Sequence, residues 1–273
     1  MSESSDNMLP AVLTIAGSDS GGGAGLQADL KVFHALGCFG TTVVTCVTAQ
    51  NPDCVRGVEP ISPAMVAEQV RTVCDGFPIA AAKTGMLFSA EIIEAVAAVI
   101  AECGLKLLVV DPVMVSTSGV RLLREDAVVA LVEKLIPKAC IITPNLPEAE
   151  VLVGHAISSL DELKLAAKDI GERFGVACVL KGGHLAECET ATSAEGAPDV
   201  VDVLYEVGRV DVFSVPRVNV GETHGTGCAF AAVITAELAK GSSLHVAVQR
   251  AQTFVAAALA SASRVGKHTP LGV

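Results

Sequence analysis

The chain has 273 residues, a formal net charge of −11 and a pI of about 5.0, so a nucleic-acid backbone, which needs a basic face, is excluded as an expected partner. Hydrophobic residues make up 51% of it and aromatics 3%, with no Trp and one Tyr; Ala, Val, Leu and Ile must therefore build the core, as in parallel strands buried on both faces. The nine cysteines, at 38, 46, 54, 74, 103, 140, 178, 188 and 228, are odd in number and form no C-x-x-C pair, which argues for reduced thiols in the cytoplasm rather than a disulfide framework or a metal cluster.

The N-terminus MSESSDNMLP is acidic and polar and lacks the regions of a signal peptide; residues 1–9 are expected to be flexible. AVLTIAG (11–17) reads as a strand running into the loop Gly17-Ser-Asp-Ser-Gly-Gly-Gly-Ala-Gly25. That loop carries neither the G-x-G-x-x-G of dinucleotide sites nor the Gly-Lys-Ser/Thr of a P-loop, so it is either a flexible turn or a place where a ligand approaches the backbone closely. LQADLKVFHALG (26–37) has helical spacing, and TTVVTCVTA (41–49) is a second β-rich run. The uncharged stretch from Val32 to Pro52 contains Thr, Gly, His34, Gln50 and Asn51, and reads as a helix end, a turn and a strand rather than a membrane span. Ser62-Pro63 opens a helix to about residue 77.

AAAKTG, a helix over 89–103 and the strand LLVVD (107–111) follow. Asp111, before Pro112, either starts a turn or orders a phosphate-bound Mg²⁺. A helix over 123–137 precedes the strand ACIITPN (139–145). Asn145, Pro147 and Glu148 have the spacing of a capping box and also suit a Mg²⁺–phosphate site. Ser159-x-x-Glu162 is a second capping box, for a helix ending near Gly175. Lys181-Gly-Gly-His184 closes the strand VACVLK; Lys181 suits phosphate oxygens and His184 reads as structural. Residues 186–200 are polar and turn-rich, an expected exposed loop, and VDVLYE with DVFSVP reads as a hairpin. His224-Gly-Thr-Gly-Cys228 leads directly into the first of two Ala-rich helices, 225–241 and 243–263. Gly225, Thr226 and Gly227 would present backbone N–H groups to an anion at a helix start, and Cys228 lies in the first helical turn, where a thiol pKa tends to fall.

Strand–helix alternation predicts a three-layer α/β/α fold with a mainly parallel sheet, and no linker or repeat divides residues 1–273, which read as one domain. In such sheets ligands bind beyond the carboxyl ends of the strands.

Taken in order, AGSDSGGGAGLQAD, TAQN, KTGM, DPVM, TPNLPEAE, KGGH and HGTGC resemble the hydroxymethylpyrimidine/phosphomethylpyrimidine kinases of thiamine biosynthesis, in the ribokinase-like superfamily. The resemblance implies ATP-dependent phosphorylation of 4-amino-5-hydroxymethyl-2-methylpyrimidine and of its monophosphate, with Mg²⁺, by a cytoplasmic homodimer. It implies an anion hole at Gly225, Thr226 and Gly227 and a catalytic Cys228. Lys181, Asn145 and Glu148 fall in the ATP-phosphate region, and Asp111 and Glu148 in the metal region. Gln50 would read the aminopyrimidine edge, its amide donating and accepting side by side. Gly17, Asp19, Met86 and Val113 match the pocket walls, and Lys267 a lysine that approaches the substrate. A pyridoxal/pyridoxine kinase of the same superfamily is the nearest alternative; a sugar kinase is disfavoured because Cys228 stands where those enzymes carry Asp. A non-catalytic nucleotide-binding sensor is disfavoured by the retained Cys228 and Lys181.

Overall fold

A computed structural model describes residues 8–114, 123–183, 199–218 and 225–273. Its nine strands form one sheet in the order β3-β2-β1-β4-β5-β6-β7-β8-β9. They are β1 (Ala11–Asp19), β2 (Phe39–Asn51), β3 (Cys54–Pro60), β4 (Ile79–Thr84), β5 (Leu108–Val110), β6 (Ile141–Ile142), β7 (Ala177–Lys181), β8 (Asp199–Glu206) and β9 (Arg209–Pro216). The run from β2 to β7 is parallel, and β3, β8 and β9 join antiparallel at the two edges. This is the expected α/β architecture.

Side-chain alternation along the strands feeds two cores. Leu13 and Ile15 of β1 point to the core shared with α2 (Pro63–Gly76), α3 (Ala90–Glu102), α4 (Glu125–Ala130), α5 (Leu146–Val153) and α6 (Leu160–Phe174). Val12 points the other way, to the core shared with α1 (Gly25–Ala35), α7 (Thr226–Ala239) and α8 (Leu244–Ala260). Because α7 is sandwiched between the sheet and α1 and α8, it is buried almost all round, from Ala229 to Leu238.

The capping signals hold where they fall. Ser62 accepts from Met65 N with Pro63 in the first turn, and complete capping boxes form at Asn145/Glu148 and Ser159/Glu162. Two expectations change. The helix predicted over 123–137 is α only to Ala130; Leu131–Leu135 is a π turn and Ile136–Lys138 a 3₁₀ turn. Pro137 has no N–H to donate, and its ring crowds the carbonyl four residues back, so the α ladder cannot run to the end. The expected loop over 186–200 lies largely outside the described residues, but Asp199 and Val200 already belong to β8. Residues 1–7, His184 and His224 also lie outside the described residues.

The β8–β9 hairpin turns on Val207 and Gly208, both at positive φ (45° and 80°), between the paired Glu206 and Arg209. A β-branched residue is a poor choice there, and Val207 is 95% exposed, so packing gives nothing back. Val207→Asn is expected to stabilise the chain by about 1 kcal/mol, read as a rise in melting temperature of about 2–4 °C. An unchanged or lowered melting temperature would show that the turn carries no strain.

Candidate active site

The chain runs from β1 outward to β2 in one direction and then returns to β4 on the other side of β1. The loops leaving β1 and β4 therefore part, opening a crevice at the carboxyl ends. Two glycine-rich segments meet there. Gly25 opens α1 with φ 55°, and a Cβ on it would overlap the carbonyl oxygen of Gly17. Gly225 is the N-cap of α7 with φ 90°, and a Cβ on it would overlap the carbonyl oxygen of Gly23. The starts of α1 and α7 thus touch backbone to backbone, which only glycine permits at these dihedrals.

Asp19 makes that geometry rigid. Its carboxylate accepts N–H bonds from Gly21, Gly23 and Ala24 at 2.8, 3.0 and 2.8 Å, and the residue is 5% exposed. The expectation that Asp19 walls a substrate pocket needs adjusting: its oxygens serve the loop. Ser20 clasps the backbone of Gln50, donating to its carbonyl oxygen and accepting from its N–H, both at 2.8 Å. Gln50, half-buried, is thereby tied to the first loop. Gly17 lies against Cys46 and Met86, since a Cβ on it would come 2.8 Å from the Cys46 Sγ and 3.9 Å from the Met86 Cβ.

In α7 the first intrahelical bond runs from Ala229 N to Gly225 O, so the N–H groups of Thr226, Gly227 and Cys228 have no intrahelical acceptor. Gly227 abuts Lys181: a Cβ there would stand 3.3 Å from the Lys181 Nζ. Lys181 pairs with Asp111 at 3.3 Å, and Thr143 donates to the same Asp111 Oδ1 at 3.1 Å. Lys181, Asp111 and the start of α7 therefore form one cluster, and Asn145 joins it through the bridge between Asn145 and Lys181.

Glu148 is 2% exposed and spends one oxygen on Met114 N and the other on Asn145 N, both at 2.9 Å. Burial pushes its carboxyl up to about 7, with Lys181 pulling down and Asp111 pushing up. These bonds brace the loop after β5 against the loop after β6. They also hold Val113, a β-branched residue at φ 45°, in a left-handed conformation that it would not choose alone.

A divalent cation fits this donor set in one way. Both hydrogen bonds on Asp111 use Oδ1, so Oδ2 has no protein partner among the described residues. No group of three metal-binding side chains exists among those residues. Such a site suits Mg²⁺ held chiefly by phosphate and water with one carboxylate. Glu148, with both oxygens engaged, would stand behind that ion rather than on it.

Cys228 is half-buried in the first turn of α7, beside the start of α1. The expected lowering of its pKa is reversed: burial pushes the thiol up to about 11, Lys83 pulls it down, and Asp29 and Asp111 push it further up. Desolvation and two carboxylates outweigh the helix start. Lys267 is exposed and pairs with Asp53 at 2.6 Å, at the turn of the β2–β3 hairpin whose first strand ends with Gln50 and Asn51.

Sequence reasoning passed over Lys83, Asp29 and Thr14. Lys83 is 1% exposed and binds both oxygens of Asp29, at 3.0 and 2.8 Å, and Thr14 donates to Asp29 at 2.6 Å. The signal was present. A lysine in the apolar strand AAAKT and an aspartate on the core face of α1, beside Leu26, Val32 and Phe33, each require a buried partner.

Residues 19–271 match the family model described as phosphomethylpyrimidine kinase. The chain belongs to that family. It is 44% identical over 259 residues to the hydroxymethylpyrimidine/phosphomethylpyrimidine kinase of Bacillus subtilis, covering 94% of this chain and 92% of that one. To its Haemophilus influenzae counterpart it is 45% identical over 260 residues, covering 95% and 94%. It is 44% identical over 262 residues to the thiamine biosynthesis bifunctional protein of Geobacter sulfurreducens, where the match covers 96% of this chain and spans about half, 51%, of the longer relative. Among solved structures, an ADP complex of Bacillus subtilis pyridoxal kinase superposes with a TM-score of 0.86 at 37% identity, covering 97% of both chains. Phosphomethylpyrimidine kinase from Clostridium difficile gives 0.79 at 37% identity, covering 92% of this chain and 99% of the other.

Proposed function

We propose that this protein transfers the γ-phosphoryl group of ATP to the hydroxymethyl group of 4-amino-5-hydroxymethyl-2-methylpyrimidine, and then phosphorylates the monophosphate, supplying thiamine biosynthesis. The observation that carries the reading is the start of α7: three amides without intrahelical acceptors, Lys181 against Gly227, and Cys228 in the same first turn. Preorganised donors of this kind stabilise a phosphoryl group in transit, and phosphoryl transfer depends mainly on positioning and charge.

In this reading the ring lies between Gly17, Met86 and Val113, with Gln50 fixing its register. The substrate oxygen bonds to the γ-phosphorus as the bond from that phosphorus to the ADP oxygen breaks. Cys228 receives the hydroxyl proton, the α7 amides and Lys181 hold the phosphoryl oxygens, and Lys267 closes over the substrate from the C-terminal side. Mg²⁺, held through Asp111 Oδ2 and water, would supply positive charge between the phosphates, with Asn145 and Glu148 ordering the loop beneath it. Adenine would enter the apolar cleft lined by Val200, Val215, Pro216, Phe230 and Val255, whose Asp202 binds the Gly182 N–H next to Lys181.

No helix of the described residues is long and apolar enough to cross a membrane, and the eight described cysteines are unpaired, which supports a reduced, cytoplasmic setting. The reading includes a homodimer; Val47, Val55 and Met65, exposed beside the β3 edge, offer apolar surface for it, and sedimentation equilibrium reads it.

The pyridoxal kinase folds make pyridoxal the second substrate to test. A coupled ADP-release assay with hydroxymethylpyrimidine, its monophosphate and pyridoxal decides. The proposal expects the two pyrimidines to dominate in kcat/KM, and fails if pyridoxal does or if none is turned over. Gln50→Leu is expected to lower kcat/KM for the pyrimidine by about 10–100-fold, the loss of one or two polar contacts to the ring, with the KM for ATP unmoved. Unchanged pyrimidine kinetics would remove Gln50 from the pocket.

A further inference from the structure

The apolar cleft assigned above to adenine has two polar side chains among its described lining residues, Asp202 of β8 and Gln252 of α8, and the residues are 3% and 5% exposed. Asp202 Oδ1 accepts the Gly182 N–H at 3.1 Å, and Asp202 Oδ2 accepts from Gln252 Nε2 at 3.0 Å. One carboxylate therefore ties the cleft to the residue that follows Lys181. The phosphoryl chemistry described above gives Gln252 no part, so its place in the cleft needs another reason.

The orientation of the Gln252 amide follows from what surrounds its nitrogen. Within reach of Nε2 stand Asp202 Oδ2 at 3.0 Å, the Phe213 carbonyl oxygen at 3.3 Å and the Val200 carbonyl oxygen at 3.5 Å. All three accept and none donates, so only the NH₂ side of the amide can face them. The carbonyl oxygen Oε1 is turned away from that cluster and meets no donor among the described residues. A buried acceptor is normally matched by a donor, yet Val200, Val215, Pro216, Phe230 and Val255, which share the cleft, have apolar side chains. The matching donor must therefore come with whatever enters the cleft.

We propose that Gln252 selects the nucleotide: its amide, fixed by Asp202 and the Phe213 carbonyl, offers an acceptor to the 6-amino group of adenine. A 6-oxo purine would set carbonyl against carbonyl there, and a purine without the amine would leave Oε1 unmatched. Sites built this way discriminate strongly, because the wrong ligand strands a buried polar group. The inference rests on the placement of adenine in this cleft, and its test is a binding measurement that needs no turnover.

The test is titration calorimetry of the full chain, in the presence of Mg²⁺, with ADP, with IDP and with purine riboside diphosphate (the adenosine compound without its amine). It is run on the wild type, Gln252→Met and Gln252→Lys. Met fills a similar volume without the carbonyl, whereas Lys keeps a donor on Asp202, so it is the variant expected to fold if Met does not. The wild type is expected to bind ADP at least about tenfold more tightly than either analogue. In Gln252→Met the three nucleotides should fall within about threefold of one another, and in Gln252→Lys, where a donor replaces the acceptor, IDP should bind at least as tightly as ADP. Wild-type affinities for ADP and purine riboside diphosphate within about threefold overturn the proposal, as does an undiminished preference for ADP in the variants. Failure of both variants to fold also overturns it, since Gln252 would then serve the contact between α8 and the sheet rather than the base. If no pyrimidine is phosphorylated but ADP is selected as expected, the kinase reading falls and the role of Gln252 stands. If the pyrimidines are turned over while the nucleotides bind alike, the kinase reading stands and this inference falls.

Discussion

Cys228→Ala is expected to lower kcat at least about 100-fold, close to 2.7 kcal/mol of barrier, while the KM for ATP stays within about threefold. In the proposed reading the sulfur takes the hydroxyl proton, and the amides of Thr226, Gly227 and Cys228 belong to the backbone, so they survive the substitution. What disappears, in that reading, is the proton acceptor and nothing that binds nucleotide. The thiol also sets a pH dependence. Burial has pushed it up to about 11, so at neutral pH only about one sulfur in ten thousand is ionised in the free protein. Because the raised pKa favours the protonated form, the active fraction grows as pH rises, and wild-type kcat/KM should climb steadily from pH 6 to pH 9. The residual activity of Cys228→Ala should lack that climb. Retention of kcat within about threefold, under about 1 kcal/mol, would take the sulfur out of the reaction.

That pH behaviour is where residue-by-residue reading of the sequence failed, and the reason is instructive. A thiol in a first helical turn is ordinarily stabilised as thiolate, but here Asp29 and Asp111 arrive from α1 and the end of β5, elements 199 and 117 positions away in the chain. Local position gave the sign of one influence, and the fold supplied two of opposite sign together with desolvation. Features set within one or two turns were readable: the Ser62-Pro63 helix start, the Asn145/Glu148 box and the β8–β9 hairpin. β3 was not, because Cys54–Pro60 is a polar, exposed edge strand with no apolar alternation to betray it. The π turn at Leu131–Leu135 is invisible to propensity, since every residue in it is acceptable in an α-helix.

The candidate site divides along the same line. The glycines and Cys228 announce themselves by motif, whereas Asp19 and Glu148, which motif places at the ligand, turn their oxygens toward backbone amides in the structure. Both act at one remove, by shaping loops. Lys83 and Asp29 show the converse: they stand inside the KTGM and AGSDSGGGAGLQAD runs with no role attached, yet a charge in an otherwise uncharged strand was a sufficient reason to look for its partner.

Gly225→Ala should be the most damaging change that removes no functional group. Two costs combine. A residue with a Cβ at φ 90° loses about 1–2 kcal/mol, and the new methyl would overlap the Gly23 carbonyl oxygen, which forces α7 away from the α1 loop at a further cost of about 1–3 kcal/mol. The sum, about 3 kcal/mol, corresponds to a drop in melting temperature of about 6–12 °C. Gly241→Ala separates the two terms. Gly241 follows the other end of α7 with nearly the same dihedral, φ 84°, but nothing lies within 4 Å of its missing Cβ. It should carry the dihedral cost alone, with turnover untouched. Gly225→Ala should also lose at least about 100-fold in kcat/KM, because the amides at the start of α7 and Cys228 shift together and a displacement of one ångström is enough for such a loss. Equal melting temperatures for the two variants, or wild-type turnover in Gly225→Ala, would mean that the starts of α1 and α7 need not touch for the site to work.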